Sequence, residues 1–429
     1  MRKNLNIAVI GLGQIGIYLL NELNNKKKEI EIKTGKKINI VAVSAKNKNK
    51  KRKYKFNKKI FFKNPFEILK KKKIDILFEA IGHSDGISKK IVETSLKNKI
   101  HVITPNKALI AKHGDYLSNL AEKNKVNLEF EASVGGGIPI IRTLKESLAT
   151  NKFSRVVGIL NGTSNYILTE MERSKKSFLD VLKKAQHLGY AEPGNPKLDL
   201  NGYDALAKVR ILSSIAFNKK ISKNKCLMEG IENINLKDIF IANQLNLRIK
   251  LLGITELLNN QLFERVHPCL VPKDSYLGNI NGVMNAIILS SKPVGESVLQ
   301  GEGVGPVPTS SALMSDLLSI LRGNIKYPFG ISFNKRTNIK IYNKFNYVNS
   351  LYLRFEVKDK PGVLSQITNR LAKYRISVKR IIQTPDKKNK KATIVIITHK
   401  TTEAIQNNCL SIFKRNKNII KKPTLIRLF

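Results

Sequence analysis

A glycine-rich turn near the start of the chain, Gly11-Leu-Gly-Gln-Ile-Gly16, constrains the fold more than any other feature of the sequence. The apolar run Leu5–Ile10 precedes it and the helix-periodic stretch Gln14–Asn25 follows it, so the turn is predicted to join a strand to a helix. In that setting the first glycine allows a tight turn, the second admits a pyrophosphate, and the third lets helix and strand pack closely. The helix N-terminus then faces the phosphates. The alternative is a purely structural glycine turn in an unrelated α/β protein.

Short apolar runs continue to alternate with helical stretches up to about residue 133. Such alternation predicts a Rossmann-type, doubly wound parallel sheet, so we expect a dinucleotide-binding domain over residues 1–133. The further strands are predicted at Ile38–Val43, Ile74–Ile81, Ile100–Thr104 and Asn127–Glu131, and the further helices at Ser84–Asn98 and Asn106–Asn124.

The middle of the chain changes character and is predicted to be an α+β domain over residues 134–309. It opens on the turn Gly135-Gly-Gly137 and contains predicted helices at Phe178–Leu188 and Asp204–Phe217, with later strands at Ile249–Leu252 and Val283–Ser290. A helix at Ser311–Leu321, in a stretch near residues 310–330, is expected to return to the first domain.

Asp204 and Lys208 lie one helical turn apart, on the same face as Ile211 and Ile215. Two readings of this pair are open. An exposed ion pair at this spacing is common and contributes little, whereas a charged pair in line with a buried stripe is costly unless a charged group meets it there. Because the helix is apolar most of the way round, burial is favoured, and together with the glycine turn the pair suggests redox chemistry on a small charged substrate.

The last eighty or so residues form a unit of their own in the sequence. The segment from Lys335 to Tyr347 is polar and is predicted to be a linker. After it, residues 349–429 follow a βαββαβ-like pattern, with strands at Leu351–Val357, Ser377–Gln383 and Thr393–Thr398 and helices at Leu364–Tyr374 and Glu403–Phe413.

The composition argues against three classes of protein: specific nucleic-acid-binding proteins, zinc proteins and membrane-spanning proteins. The net charge is +45, yet the lysines are spread along the chain without aromatic-basic alternation, so enrichment from an AT-rich genome explains them better than specific nucleic-acid binding. The three cysteines form no pair motif, which fits a reducing, cytoplasmic compartment and argues against a zinc site. No apolar run reaches the length of a membrane span.

The end of the second strand bears on the choice of cofactor. An acidic residue there would bind the ribose 2′-hydroxyl of NAD, but the chain has Ser44-Ala-Lys46-Asn-Lys48. The absence of a carboxylate and the presence of cations favour NADP. The alternative is that these lysines are solvated loop residues and that the cofactor is NAD.

Along nearly its whole length the chain resembles the bacterial homoserine dehydrogenases. No kinase-like region precedes the glycine turn, so the resemblance is to the single-function form, and the tail resembles an ACT domain with a ferredoxin-like fold. The segments that carry the resemblance are Thr104-Pro-Asn-Lys107-Ala, Glu131-Ala-Ser-Val-Gly-Gly-Gly-Ile-Pro-Ile, Gly158-Ile-Leu-Asn-Gly-Thr-Ser-Asn-Tyr-Ile, Leu188-Gly-Tyr-Ala-Glu192-Pro, Asp199-Leu-Asn-Gly-Tyr-Asp204-Ala-Leu-Ala-Lys208, Ile249-Lys-Leu-Leu-Gly253, Gly301-Glu-Gly-Val-Gly-Pro-Val-Pro-Thr309 and, in the tail, Asp359-Lys-Pro-Gly362-Val-Leu-Ser with Ile376-Ser and Gln383.

The resemblance implies interconversion of L-homoserine and L-aspartate 4-semialdehyde with NADP or NAD, in threonine, methionine and isoleucine biosynthesis. It further implies that the middle domain is both catalytic and a dimerisation domain, in a homodimer or homotetramer. Lys208 is implied to carry the acid/base chemistry, and Lys107 is implied to be a nearby cation that also contacts the cofactor. Substrate binding is implied for Glu192, Asp204 and Asp199. Cofactor binding is implied for Gly11, Leu12, Gly13, Gln14, Ile15, Gly16, Gly189 and Gly303.

Two further sites follow from the resemblance. Glu131 with the carbonyls of Val134, Gly136 and Ile138 resembles a monovalent-cation site, for instance for Na⁺, although the segment also reads as a glycine-rich hinge. In the tail, Gly362, Val363 and Leu364 are implied to bind an amino-acid effector, with threonine expected and a purely structural assembly domain as the alternative.

Two other functions compete with this interpretation. A noncatalytic sensor of nucleotides and amino acids would keep the glycine turn and the tail but has no need of Lys107, Lys208, Glu192 and Asp204, all of which are present. A nucleic-acid-binding protein rests on charge alone.

Overall fold

The computed structural model describes residues 4–192, 194, 196–324, 326–386, 390–413 and 416–429. Within them, no helix combines the length and the hydropathy needed to cross a bilayer.

The first part of the chain forms a six-stranded parallel sheet in the order β3-β2-β1-β4-β5-β6. This strand order is that of a Rossmann fold, so the predicted fold class is confirmed. The strands are β1 Asn4–Ile10, β2 Lys37–Ser44, β3 Phe61–Phe62, β4 Ile76–Glu79, β5 His101–Ile103 and β6 Leu128–Glu129, and the helices are α1 Gln14–Asn25, α2 Lys27–Thr34, α3 Pro65–Lys71, α4 Ile87–Lys97 and α5 Lys107–Lys123.

The middle of the chain places helices against a large mixed sheet. A short helix, α6, leads into a π-helical turn at Thr143–Ser147. The elements in chain order are α6 Ile140–Arg142, β7 Lys152–Ile159, α7 Gly162–Ser174, α8 Phe178–His187, α9 Lys197–Leu200, α10 Tyr203–Ala216, β8 Leu227–Met228, α11 Leu236–Gln244, β9 Leu247–Leu258, β10 Gln261–Pro272, β11 Met284–Lys292, β12 Gly295–Glu302 and α12 Pro306–Leu321.

Helix α12 returns to the nucleotide-binding sheet. Its buried side chains, among them Leu313 and Leu317, join one apolar cluster with Leu19 and Leu23 of α1. The chain therefore passes from the six-stranded sheet into the middle domain and returns to that sheet through α12.

The tail has the expected order of elements. These are β13 Val348–Asn349, β14 Leu351–Lys358, α13 Val363–Lys373, β15 Val378–Asp386, β16 Lys391–Thr398, β17 Thr401–Thr402, α14 Glu403–Phe413 and β18 Thr424–Leu428. The tail has an apolar core of its own, but its sheet is joined to the sheet of the middle domain. Strand β18 pairs with β14 on one side and runs parallel to β10 on the other, so that nine strands form one continuous path, β12-β11-β7-β9-β10-β18-β14-β16-β15.

The segment expected to be a linker is also packed. Arg336 is only 2% exposed, and its guanidinium donates to Asp115 and Ser118 of α5. Ile341 forms a β-bridge with Leu262 in β10. A polar composition gave the wrong expectation here because the cation of Arg336 meets a half-buried carboxylate and a buried hydroxyl.

Candidate active site

The paired charges on α10 are buried, as the apolar character of that helix indicates. Asp204 lies in the first turn, and Lys208 follows one turn later with its Nζ 2.8 Å from Asp204 Oδ2. The two side chains are only 6% and 8% exposed. The reading as a solvated surface pair is therefore wrong.

Lys107 reaches the same carboxylate from the other domain. It is the first residue of α5, directly after Asn106, whose side chain caps the helix by accepting from the Leu109 N–H at 3.0 Å. The Lys107 Nζ lies 2.6 Å from Asp204 Oδ1, and its side chain is 42% exposed. One buried carboxylate thus holds two ammonium groups, one of which faces the cleft.

Asn161 is part of this cluster, although the sequence analysis gave it no role. Its Nδ2 donates to Asp199 Oδ1 at 2.8 Å and to Asp204 Oδ2 at 2.9 Å, while its Oδ1 caps α7. Lys208 Nζ also donates to the carbonyl oxygen of Leu160 at 2.6 Å. The segment around Asn161 was among those that carried the family resemblance, and that resemblance was the sequence signal for a role of Asn161.

The electrostatics divide the two lysines into different roles. Burial lowers the pKa of Lys208, and the positive charge of Lys107 adds to that effect against the opposing pull of Asp204. The charge of Asp204 raises the pKa of Lys107. Lys208 is therefore the ammonium that gives up its proton more readily, whereas Lys107 stays charged.

The two aspartates also differ from each other in pKa. Burial pushes the pKa of Asp204 upward, but the charges of the two lysines outweigh it and hold that pKa well below the usual range. Burial and the neighbouring charge of Asp204 raise the pKa of Asp199. Lys107 and Lys208 oppose this rise in the pKa of Asp199 only from a distance, without a salt bridge to it among the described residues, so an arriving cation would be its first direct counter-charge.

Other predicted substrate and cofactor residues lie around this cluster. Glu192 is exposed in the loop after α8, outside the bonded cluster, and its backbone oxygen accepts from Gln186 Nε2 at 3.1 Å. Gly189, in the same loop, has a left-handed φ of 77°. Pro193, the last residue of that motif, lies outside the described residues.

The glycine turn has the geometry that its sequence predicts. A Cβ on Gly11 would lie 2.4 Å from the Ala80 carbonyl oxygen, and a Cβ on Gly16 would lie 1.8 Å from the Gly11 oxygen. A Cβ on Gly13 would meet no described atom within 4 Å. Two glycines are therefore required by the fold itself, and Gly13 leaves open space in front of the first turn of α1.

The remaining turn residues and the end of β2 lie together. Leu12 is buried, whereas Gln14 is exposed and Ile15 half-buried. The Leu12 carbonyl accepts from Arg52 Nε at 3.0 Å, which ties the lysine-rich segment after β2 to the turn. Lys46 and Lys48 in that segment are exposed. Arg52 was not predicted, because a contact with a residue so far away in sequence leaves no local pattern.

Gly303 is enclosed by backbone and side-chain atoms. A Cβ there would lie 2.1 Å from Asn285 Nδ2, and a Cβ on Gly136 would lie 2.7 Å from the Gly303 carbonyl oxygen. The close approach of three segments therefore requires glycine at position 303.

The oxygens proposed for a monovalent cation already have other partners. Both carboxylate oxygens of Glu131 accept backbone N–H groups, from Ile141 and Arg142, each at 2.8 Å. The Ile138 oxygen accepts from Ile140 N at 2.8 Å. Burial raises the pKa of Glu131 to about 7, against the effect of those two amides. A cation here would have to use the second lone pairs of these oxygens together with the carbonyls of Val134 and Gly136.

The predicted effector turn lines a cavity in the tail. Gly362 precedes α13 with a left-handed φ of 81°, and Val363 and Leu364 begin the helix. Together with Asp359 and Gln383 these residues line a cavity of about 450 Å³.

Three family models match consecutive parts of the chain. Residues 11–131 match the NAD-binding domain of homoserine dehydrogenase, residues 139–318 match homoserine dehydrogenase, and residues 351–407 match the ACT domain. The homoserine dehydrogenase of Neisseria gonorrhoeae is 37% identical over 99% of both chains, and that of Helicobacter pylori is 36% identical over 100% of both. The crystal structure of a homoserine dehydrogenase from Thiobacillus denitrificans superimposes with a TM-score of 0.90 at 33% identity, covering 100% of this chain and 98% of that one.

Proposed function

The chain belongs to the homoserine dehydrogenase family, and on that premise we propose how its own residues divide the interconversion of L-homoserine and L-aspartate 4-semialdehyde. Lys208 carries the proton, Lys107 supplies a fixed positive charge, and Asp199, Asp204 and Glu192 receive the substrate ammonium. The observation that carries this assignment is the single buried carboxylate of Asp204, which holds both ammonium groups within 2.8 Å.

The substrate ammonium has a natural place beside Asp199. That carboxylate is bonded by the neutral amide of Asn161 and has a raised pKa because burial and Asp204 disfavour its charge. An ammonium group supplies a direct counter-charge, and the exposed Glu192 closes the site from the loop after α8. The substrate's reacting oxygen is then directed to the lysines on the far side of Asp204.

The proton moves through Lys208. In the oxidation direction the neutral Lys208 amine accepts the hydroxyl proton of homoserine, the C4–H bond breaks, and the C4–O bond becomes a carbonyl. A bound nicotinamide would supply the hydride acceptor in this direction and the hydride donor in the other. Lys107 stabilises the partial negative charge on the oxygen in both directions, since its own pKa is raised.

We assign NADP as the preferred cofactor. The glycine turn and the N-terminus of α1 are placed to receive the pyrophosphate. Lys46 and Lys48 lie beyond the end of β2, and Arg52 fixes their segment to Leu12. A 2′-phosphate would meet cations there and no carboxylate.

Regulation by threonine is assigned to the turn at Gly362. A contact route to the substrate site supports it. Arg427 of β18 pairs with Glu229 at 2.8 Å, and the next residue, Gly230, lies so close to the Leu200 carbonyl that a Cβ would be 2.2 Å away. Leu200 directly follows Asp199, so a shift of β18 would be felt at that carboxylate.

Three further assignments complete the proposal. A monovalent cation such as Na⁺ binds beside Glu131, and added Na⁺ should then raise the Tm of the protein.

The protein assembles as a homodimer or homotetramer through its middle domain, which light scattering tests. The three free cysteines support a reducing compartment such as the cytoplasm.

Absorbance at 340 nm tests the function directly. Purified protein with L-homoserine and NADP should form NADPH, more slowly with NAD at equal concentration. A folded sample that gives no turnover with either cofactor would exclude the activity.

A further inference from the structure

A buried amide lies between two glycine backbones at the site, and the chemistry above makes no use of it. Asn285 is the second residue of β11 and is 1% exposed. Neither its Nδ2 nor its Oδ1 has a hydrogen-bond partner among the described residues. Leaving a buried polar group unpaired destabilises the folded protein. A leucine would fill a similar volume without that cost, so the amide needs a reason.

On one side the amide sets the position of Gly303. The amide nitrogen would be 2.1 Å from a Cβ on Gly303, and the opposite face of Gly303 lies against Gly136. Gly303 therefore has no free space on either face, and any change in the shape of Asn285 moves it.

On the other side the amide meets the start of α7. A Cβ on Gly162 would lie 3.5 Å from Asn285 Oδ1. Gly162 directly follows Asn161, which bridges Asp199 and Asp204. The same side chain thus touches the cofactor side of the site through Gly303 and the substrate side through Gly162.

We infer that Asn285 is a positioning residue that holds the backbone of Gly303 where it contacts the nicotinamide cofactor. The inference rests on the proposed function, in which Gly303 is a cofactor contact. The amide offers one acceptor and two donor hydrogens, which match the N–H and C=O groups of the loop at Gly303–Gly305. Hydrogen bonds of this kind are often completed only in the ligand complex, so we expect the amide to pair with this loop when the cofactor is bound.

The test separates positioning from packing. Asn285→Leu removes both polar atoms at similar volume, so the Tm should not fall. The Kd for NADPH, measured by calorimetry without homoserine, should rise on the order of tenfold, as for one lost hydrogen bond. Asn285→Ala removes the same polar atoms with a smaller neutral side chain, and it should weaken NADPH binding in the same direction if the leucine variant does not fold.

Asn349→Ala is the matched control. Asn349 is a buried amide in the tail whose Nδ2 donates to Glu403 at 3.1 Å. Its loss should lower the Tm and leave the Kd unchanged. An unchanged Kd in both Asn285 variants, or an equal rise in the control, would overturn the inference. Wild-type protein that binds NADPH but does not oxidise homoserine would refute the proposed function alone.

Discussion

At the scale of single residues, the site depends on one carboxylate shared by two lysines. Asp204 fixes the Nζ atoms of Lys107 and Lys208 from opposite oxygens. Burial lowers the pKa of Lys208, whereas the charge of Asp204 raises the pKa of Lys107. The acid/base assignment follows from that difference.

Lys208→Ala should reduce kcat by about 10²-fold or more, the usual contribution of an acid/base group. The matched control is Lys112→Ala, which removes an exposed lysine paired with Asp85 and should leave kcat unchanged. Steady-state rates at 340 nm measure both. Near-normal turnover in Lys208→Ala would assign the proton to another group.

The pH dependence has a definite sign. Because the pKa of Lys208 is lowered, homoserine oxidation should rise with pH and level off below the ordinary lysine range, and aldehyde reduction should fall over the same interval. Asp204→Asn removes the charge that raises the pKa of Lys208, so the rising limb should move to lower pH. If the rising part of the pH–rate profile stays at the same pH in Asp204→Asn, the pKa of Lys208 does not determine its position.

At the scale of elements, the turn between β1 and α1 separates structural from binding glycines. Gly16→Ala places a methyl 1.8 Å from the Gly11 oxygen, whereas Gly13→Ala meets no described atom. Both changes should weaken cofactor binding, but only Gly16→Ala should lower the Tm. Calorimetric Kd values and thermal melts decide, and a destabilised Gly13→Ala would contradict the proposed division.

The segment after β2 should determine cofactor preference. Replacing Lys46 and Lys48 by alanine removes two exposed cations from the expected 2′-phosphate side. The KM for NADP should rise and that for NAD should hardly change, because only NADP carries the phosphate. Equal changes in the two KM values would show that these lysines do not determine cofactor preference.

At the scale of the whole molecule, an ion pair joins the tail to the catalytic domain. Arg354 of β14 donates to Asp238 of α11 at 2.6 Å, and the side chains are 6% and 0% exposed. Arg354→Met leaves the carboxylate buried without its partner, and the free energy of unfolding should fall by about 3–5 kcal/mol.

Lys237→Met is the control for that change. It removes a 53% exposed lysine from the neighbouring pair with Glu356, and such a pair contributes about 0–1 kcal/mol. Urea denaturation measures both variants. Equal losses of unfolding free energy in the two variants would show that burial of the Arg354–Asp238 pair does not determine its contribution to stability.

Because β18 pairs with β10, deleting the tail would expose that part of β10 and would remove Arg354, the cation that pairs with Asp238. A point change in the effector turn is therefore the better test of regulation. Gly362→Ala should weaken threonine inhibition at least about fivefold, within the usual range of coupling between sites, and leave kcat intact. Gly295→Ala, at an open turn with φ 87°, introduces the same backbone strain far from the effector turn. Loss of inhibition in both variants, or in neither, would contradict the assignment.

Strong local patterns explain which parts of the fold could be predicted. Helix α1 was predicted with its observed bounds because its apolar period and glycine turn agree. Helix α2 was not predicted, since Ile30 is its only buried residue, and β3 is only two residues long.

Contacts between distant segments explain what was missed at the site. The sequence placed Asp204 and Lys208 on one helical face, but the bond from Lys107 crosses between domains. The roles of Asn161 and Arg52 arise in the same way. The contact between the tail and the middle domain was also missed, because the pairing of β18 with β10 has no local signature.

The position of β18 between β10 and β14 also has a consequence for biosynthesis. Strand β10 ends at Pro272, and the strand that covers its edge ends at Leu428. At typical elongation rates the ribosome needs about ten to thirty seconds to make the intervening chain. Throughout that time the edge of β10 has no partner from the tail, and it is a surface on which a nascent chain can pair with a neighbour on the same message. A protease that cut just before Thr424 would free the six-residue segment that contains β18 and would expose Cys269 and Leu270 of β10 again, while every residue of the proposed reaction site stays in the chain.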